Sequence, residues 1–184
     1  MNRYIVVIFL LVNISYAEPI INVVKSYYSV SGNTENAIRR DINNKRYSYI
    51  GNNYDAFTKW SVDWHFNWKK VVNSCKINSV NTKVKVKYTF PRLINRNDLD
   101  TKVLKKWDLY KKALLKHENG HKNFAIKSAK EIENTLIKMH YNNCMILEKN
   151  ANKIAEKIVN KYKNLEEEYD EKTVHGIKYG AKFP

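Results

Sequence analysis

The chain is short of the residues that divide a polypeptide into parts. It has three prolines and five glycines in 184 residues, with no Pro/Gly-rich stretch and no internal repeat. That excludes an extended linker and a repeat array, and leaves no place for a second domain. Cysteine is equally scarce. Cys75 and Cys144 are the only two, so a single intramolecular pairing is available. Acidic residues are few, 18 against 33 basic ones, for a formal net charge of +15. The lysines are scattered through every segment and form no concentrated patch, which excludes a nucleic-acid footprint. They leave room for an anionic partner such as an acidic envelope polymer.

Long apolar runs are also missing, except at the start. Asn2-Arg3 is followed by an apolar stretch from Tyr4 to Ile14, and Ser15-Tyr16-Ala17 has small residues at the two positions a signal peptidase reads. The run is too short to span a bilayer with ordinary flanks. Residues 1–17 therefore read as a secretory signal cut after Ala17, with one domain over 18–184. The expectation is a secreted or periplasmic protein with no stable membrane span after cleavage. In that compartment Cys75 and Cys144 are expected to form a disulfide.

What is present is periodicity. Ile21 to Val30 reads as a strand, and Thr34 can cap a short helix through about Asn44. Tyr47 to Tyr54 is polar and reads as a loop. The period then changes to two. Trp60, Val62, Trp64, Phe66 and Trp68 face one way against Lys59, Ser61, Asp63, His65 and Asn67. Val84, Val86, Tyr88 and Phe90 repeat the pattern, while Cys75 and Ile77 have the other parity. The spacing predicts an antiparallel hairpin through Val72-Asn73-Ser74 with a bulge near Asn78-Ser79. Pro91 should end the sheet.

Asn97 or Asp98 can cap the next helix. From Leu104 to Met139 apolar residues step by three or four, and a break is expected because a straight helix of that length exceeds a compact domain. Asn142-Asn143 reads as a turn. A third helix follows, with Cys144, Leu147, Ala151, Ile154, Ile158, Tyr162, Leu165 and Tyr169 on one face, packed antiparallel to the second. The fold class is α+β: an N-terminal strand and short helix, an antiparallel hairpin, and two long helices.

Inside the long stripe sits His117-Glu118-Asn119-Gly120-His121, an H-E-x-x-H pattern. Residues four apart share a helix face, so both imidazoles can converge on one zinc ion, with Glu118 beside them to take a proton from an activated water. Both histidines lie in the core-facing stripe, where an imidazole must be hydrogen-bonded or metal-bound. Catalytic zinc needs a third protein ligand. Antiparallel pairing about the turn sets His121 level with about Asn164 and His117 level with about Glu168. The segment after them can then fold back onto the motif. His175 is the candidate third ligand, with Asp170 in the second shell. A glutamate of Glu166 to Glu168 is the alternative, and His65 points outward by parity.

His117-Glu118-x-Gly120-His121 on a helix, with Tyr169-Asp170-x-x-Thr173-x-His175-Gly176 near the C-terminus, resembles the domain-of-unknown-function 922 family of predicted secreted zinc-dependent proteases. Thr58-x-Trp60-x-Val62-x-Trp64, Cys75, Pro91, Trp107 with Tyr110, and Cys144 extend the resemblance over nearly the whole chain after Ala17. It implies an exported zinc peptidase with His117 and His121 as ligands and Glu118 as base. A peptide or protein substrate follows, and Tyr169 or Tyr179 are candidate donors to the oxyanion. Two rival readings share the residues: a zinc hydrolase of cell-wall amides, and a non-catalytic binding or scaffold domain with a structural zinc.

Overall fold

The structure, a computed structural model, describes residues 18–49 and 51–184; the expected signal, residues 1–17, lies outside them. The two alternating segments pair as expected. Strands β4 (Phe57–Val71) and β5 (Ser74–Leu93) run antiparallel around a tight turn in which Asn73 takes φ 58°. The register passes from Asn67↔Ser79 to Trp68↔Ile77, so Asn78 is the extra residue of a bulge. That one residue moves Cys75 and Ile77 onto the face of Val80 and Val84, and all four are buried.

Strand β1 (Ile20–Val30) lies parallel to the second half of β5. The sheet order is β1-β5-β4, and a short strand β6 (His140–Tyr141) also pairs with β5, at Cys75 and Lys76. The fold is thus α+β, with one sheet face covered by helices and Lys83, Lys85 and Lys87 exposed on the other. Pro91 does not end the sheet. It sits opposite Tyr28, with Leu93 still paired to Val30. The β4 ladder has already stopped at Thr89, and the Pro91 carbonyl turns away from β1 to accept from Lys111 Nζ at 2.8 Å. The missing N–H therefore falls on an edge with no ladder to break.

Helix α1 (Glu35–Lys45) is capped by Thr34, whose side chain accepts from the Ala37 N–H, and it buries Ile38 and Ile42. Tyr47–Tyr54 is not a loop. Strands β2 (Tyr47–Tyr49) and β3 (Asn52–Tyr54) form a small hairpin that turns at Gly51, φ 76°. Tyr47 stacks on Phe57 at 4.7 Å, so a contact from outside the segment supports a pairing its own polar sequence does not announce.

Helix α2 (Thr101–Leu136) starts later than expected. Asp98 lies in a preceding turn of 3-10 helix, and Asp100 is the cap, accepting from the Lys102 N–H at 2.7 Å. The expected break is absent: 36 residues run as one helix, about 54 Å long. Its first turns are covered by the C-terminal tail, where Phe183 packs on Trp107 and Tyr110. Helix α3 (Cys144–Thr173) is capped by Asn143 and returns antiparallel, with Glu131 against Lys161, His121 against Glu166 and His117 against Tyr169. Cys75 and Cys144 form the expected disulfide, which ties the far end of this helix pair to β5. The closed loop spans 69 residues and constrains the unfolded chain by up to about 4 kcal/mol in the chain-entropy account. No helix among the described residues is long and apolar enough to cross a membrane.

Candidate metal centre

The i,i+4 spacing on α2 puts both imidazoles on the side that faces α3 and the start of β4. His117 and His121 are buried, and their Nε2 atoms lie 3.1 Å apart. Asp170, from the last turn of α3, brings Oδ1 to 3.1 Å from His117 Nε2 and 3.2 Å from His121 Nε2. The three atoms form a nearly equilateral triangle. Zinc bound tetrahedrally at about 2.0–2.1 Å holds its ligands about 3.3 Å apart, so the triangle has the size of one face of such a site. Asp170 Oδ1 is buried and accepts no hydrogen bond. An orphaned buried carboxylate oxygen next to two ring nitrogens that face each other is the arrangement a shared cation resolves. His117, His121 and Asp170 are the group among the described residues that could hold a metal ion.

The outer nitrogens are oriented from α3. His121 Nδ1 meets Glu166 Oε1 at 2.8 Å, and the same oxygen accepts from Trp60 Nε1 at 2.9 Å. His117 Nδ1 faces Thr173 Oγ1 at 3.5 Å. Both imidazoles therefore point Nε2 at the triangle and Nδ1 at a second partner. Burial opposes charge on His121, yet Asp170 and Glu166 outweigh it and push its pKa up to about 10. Burial would likewise raise Asp170, but the two imidazoles hold its carboxyl well below the ordinary range. Glu118 is raised, chiefly by burial. With Glu118, Glu166 and Asp170 around two imidazoles, the centre is short of positive charge.

Glu118 is buried beside the histidines, and Thr58 Oγ1 donates to its Oε2 at 2.5 Å. The group opens into a cleft of about 1020 Å³. One wall is Phe57 to Trp60 at the start of β4, whose outer edge carries no partner strand among the described residues.

The expected residues are distributed as follows. His117, Glu118 and His121 meet. Asp170, expected behind the ligands, stands at the third corner. His175, expected as third ligand, is not in the group: it is exposed in the cleft, with Nδ1 3.6 Å from Asp170 Oδ2. The physical reason is where α3 ends. The helix runs to Thr173, so Asp170 still faces α2, while His175 lies beyond the left-handed cap at Val174. Val174, His175 and Gly176 all have positive φ, and a Cβ on Gly176 would come within 2.8 Å of the His117 ring. Glu168 pairs with Lys172 on the exposed side. Tyr169 and Tyr179 do not line the cleft. The Tyr169 hydroxyl donates to the His117 carbonyl at 3.2 Å, and its ring occupies the space left by Gly120, where a Cβ would lie 2.4 Å from it. Gly120 thus marks a close approach between helices, not a bend.

Sequence reasoning missed Thr58 as a partner of the site, and it offered Glu166 only within the alternative ligand run Glu166 to Glu168, not as the partner of the His121 ring. A signal existed for Glu166: it precedes Asp170 by four residues, so the two share the face of α3 that meets the histidines.

The sequence model of a family described as bacterial proteins of unknown function (DUF922) matches residues 25–176, and the chain belongs to that family. No curated protein and no solved structure matches it.

Proposed function

We propose that this DUF922 chain is an exported zinc-dependent metallopeptidase. The observation that carries the reading is the triangle of His117 Nε2, His121 Nε2 and Asp170 Oδ1, open to the cleft beside the Glu118 carboxylate. Two nitrogens and one carboxylate oxygen are a donor set zinc accepts, and three protein ligands leave a fourth position open. A structural site closes all four, so an open triangle favours catalysis. Zinc held there would lower the pKa of a water towards 7 and polarise a substrate carbonyl.

The chain's own residues supply the rest. Glu118, raised by burial and held by Thr58, takes a proton from the attacking water and returns it to the leaving amine. Glu166 and Thr173 keep the imidazoles aimed at the triangle. His175, exposed in the cleft beside Asp170, is the side chain placed to donate to the oxyanion as the carbonyl becomes tetrahedral. An extended substrate can lie along the free edge of β4, where main-chain hydrogen bonds do not depend on side-chain identity.

The test is to prepare the chain from Glu18 onward, quantify bound metal, and compare wild type with Glu118→Gln on a broad peptide library. One zinc per chain with cleavage lost in the variant supports the reading. Absence of stoichiometric metal in wild type overturns it. His175→Ala should keep zinc and lose turnover; loss of zinc would return His175 to the ligand set.

A further inference from the structure

Most acids of the cleft are committed and most of its bases are not. Asp55 is clamped by Arg39 through contacts of 2.6 and 2.7 Å and also accepts from Tyr110. Glu118, Glu166 and Asp170 face the imidazoles. Among the described residues Glu167 is the one cleft acid without a partner. Against it stand four cations lining the same cleft: Arg46, Lys59, Lys163 and Lys182. None of the four side chains has an ion-pair or hydrogen-bond partner among the described residues, and the Arg46 Nε is buried with nothing to donate to. A buried guanidinium N–H without an acceptor is costly; the Nε of nearby Arg39 is unpaired too, but both of its terminal nitrogens donate to Asp55, whereas the Arg46 side chain has no acceptor among the described residues.

The cations come from separate elements. Arg46 follows α1, Lys59 is on β4, Lys163 on α3 and Lys182 in the C-terminal tail. They reach the cleft from four separate elements instead of forming a stripe along one helix. The acids of the same cleft, Glu167 apart, already have partners, so the unpaired charge it presents is mostly positive and attracts ligands of the opposite sign. The planar guanidinium fork of Arg46 matches a carboxylate in shape.

We infer that the cleft selects acidic polypeptide substrates, with Arg46 holding a substrate carboxylate and Lys59, Lys163 and Lys182 lining its path. This rests on the peptidase reading above and names its substrate class. The carboxylate belongs to an acidic side chain or to the substrate's own C-terminus, and the two are separable.

The experiment uses the zinc-loaded chain from Glu18 onward and matched fluorogenic peptides. One member of each pair carries glutamates flanking the cleaved bond, the other glutamines, and each is made both as free acid and as C-terminal amide. At low salt the glutamate peptides should be cut with a kcat/KM at least about tenfold higher, and the ratio should fall towards one near 0.5 M salt as screening shortens. Arg46→Gln should reduce the ratio about tenfold, and Lys69→Gln, on the hairpin outside the cleft, should leave the ratio as it is. If only free acids are preferred, the carboxylate is terminal and the enzyme trims ends. Equal cleavage of glutamate and glutamine peptides in wild type, whatever their termini, overturns the inference while leaving the peptidase reading intact. If no peptide is cut, that reading fails instead. Fluorescence anisotropy of the same peptides on Glu118→Gln protein then decides the inference alone: equal Kd values for the pair overturn it, and tighter binding of the glutamate member supports it.

Discussion

Helix α2 buries two glutamates, Glu118 and Glu133, fifteen residues apart, and a threonine of the sheet holds each one. Glu133 Oε1 accepts from both the N–H and the hydroxyl of Thr82, at 3.0 and 2.7 Å. Glu118 accepts from Thr58 alone among described side chains and opens into the cleft beside two imidazoles. Burial raises both carboxyls. Burial and an altered pKa therefore do not distinguish a structural acid from the proposed catalytic one. The difference lies in what the carboxylate can still reach: Glu133 is spent on the sheet, and Glu118 has a cleft in front of it.

The comparison breaks most sharply if a ligand is removed. Asp170→Ala or His121→Ala should abolish tight zinc binding, measured by metal analysis after dialysis against a chelator, while Glu133→Ala keeps a full equivalent. Next, Glu118→Gln should retain zinc and lose about 10²–10⁴-fold in turnover. Turnover of Glu133→Gln should stay within about twofold of wild type, and a larger loss would mean the two sites are coupled. Glu166→Gln keeps the shape of the partner to His121 but weakens the charge behind it. Zinc affinity should fall about 10–100-fold by competition titration.

The smallest effects sharpen the other half of the comparison. Glu133→Ala strands the Thr82 N–H and should cost about 1–3 kcal/mol in denaturant unfolding. Glu133→Gln can keep both hydrogen bonds and should cost much less. Its pH dependence has a definite sign. Because the folded pKa of Glu133 lies above the unfolded one, the carboxyl's contribution is fully present below about pH 4 and is lost as pH rises through the folded value. Wild type should therefore lose stability relative to Glu133→Gln on going from acid to neutral pH. Parallel stability curves for the two proteins would refute the assignment.

Much of this molecule was legible because it depends on near neighbours. The hairpin, its bulge, the Thr34 cap and the i,i+4 histidines follow from repeats of two and of three to four residues. Antiparallel pairing of α2 and α3 placed the C-terminal segment at the motif to within two residues, with His117 meeting Asp170 and His121 meeting Glu166. The errors have a common origin. The β2–β3 hairpin stands on Phe57, the unbroken α2 on the sheet and the α3 helix packed along it, and Pro91 on the point where the β4 ladder stops. Each is settled by a contact outside the segment itself.

The sequence by itself determined the α+β class, the partner of each cysteine, and a helix face bearing His117, Glu118 and His121, because local periodicity and a count of two leave little choice. Only the tertiary structure decided that Asp170 and not His175 completes the triangle, that Glu166 and Thr58 support it, and that the side chains of Arg46, Lys59, Lys163 and Lys182 are left unpaired in the cleft among the described residues. The reason is that a helix end can shift by one turn without changing the apolar stripe. Such a shift exchanges which side chain of the C-terminal segment arrives at the site.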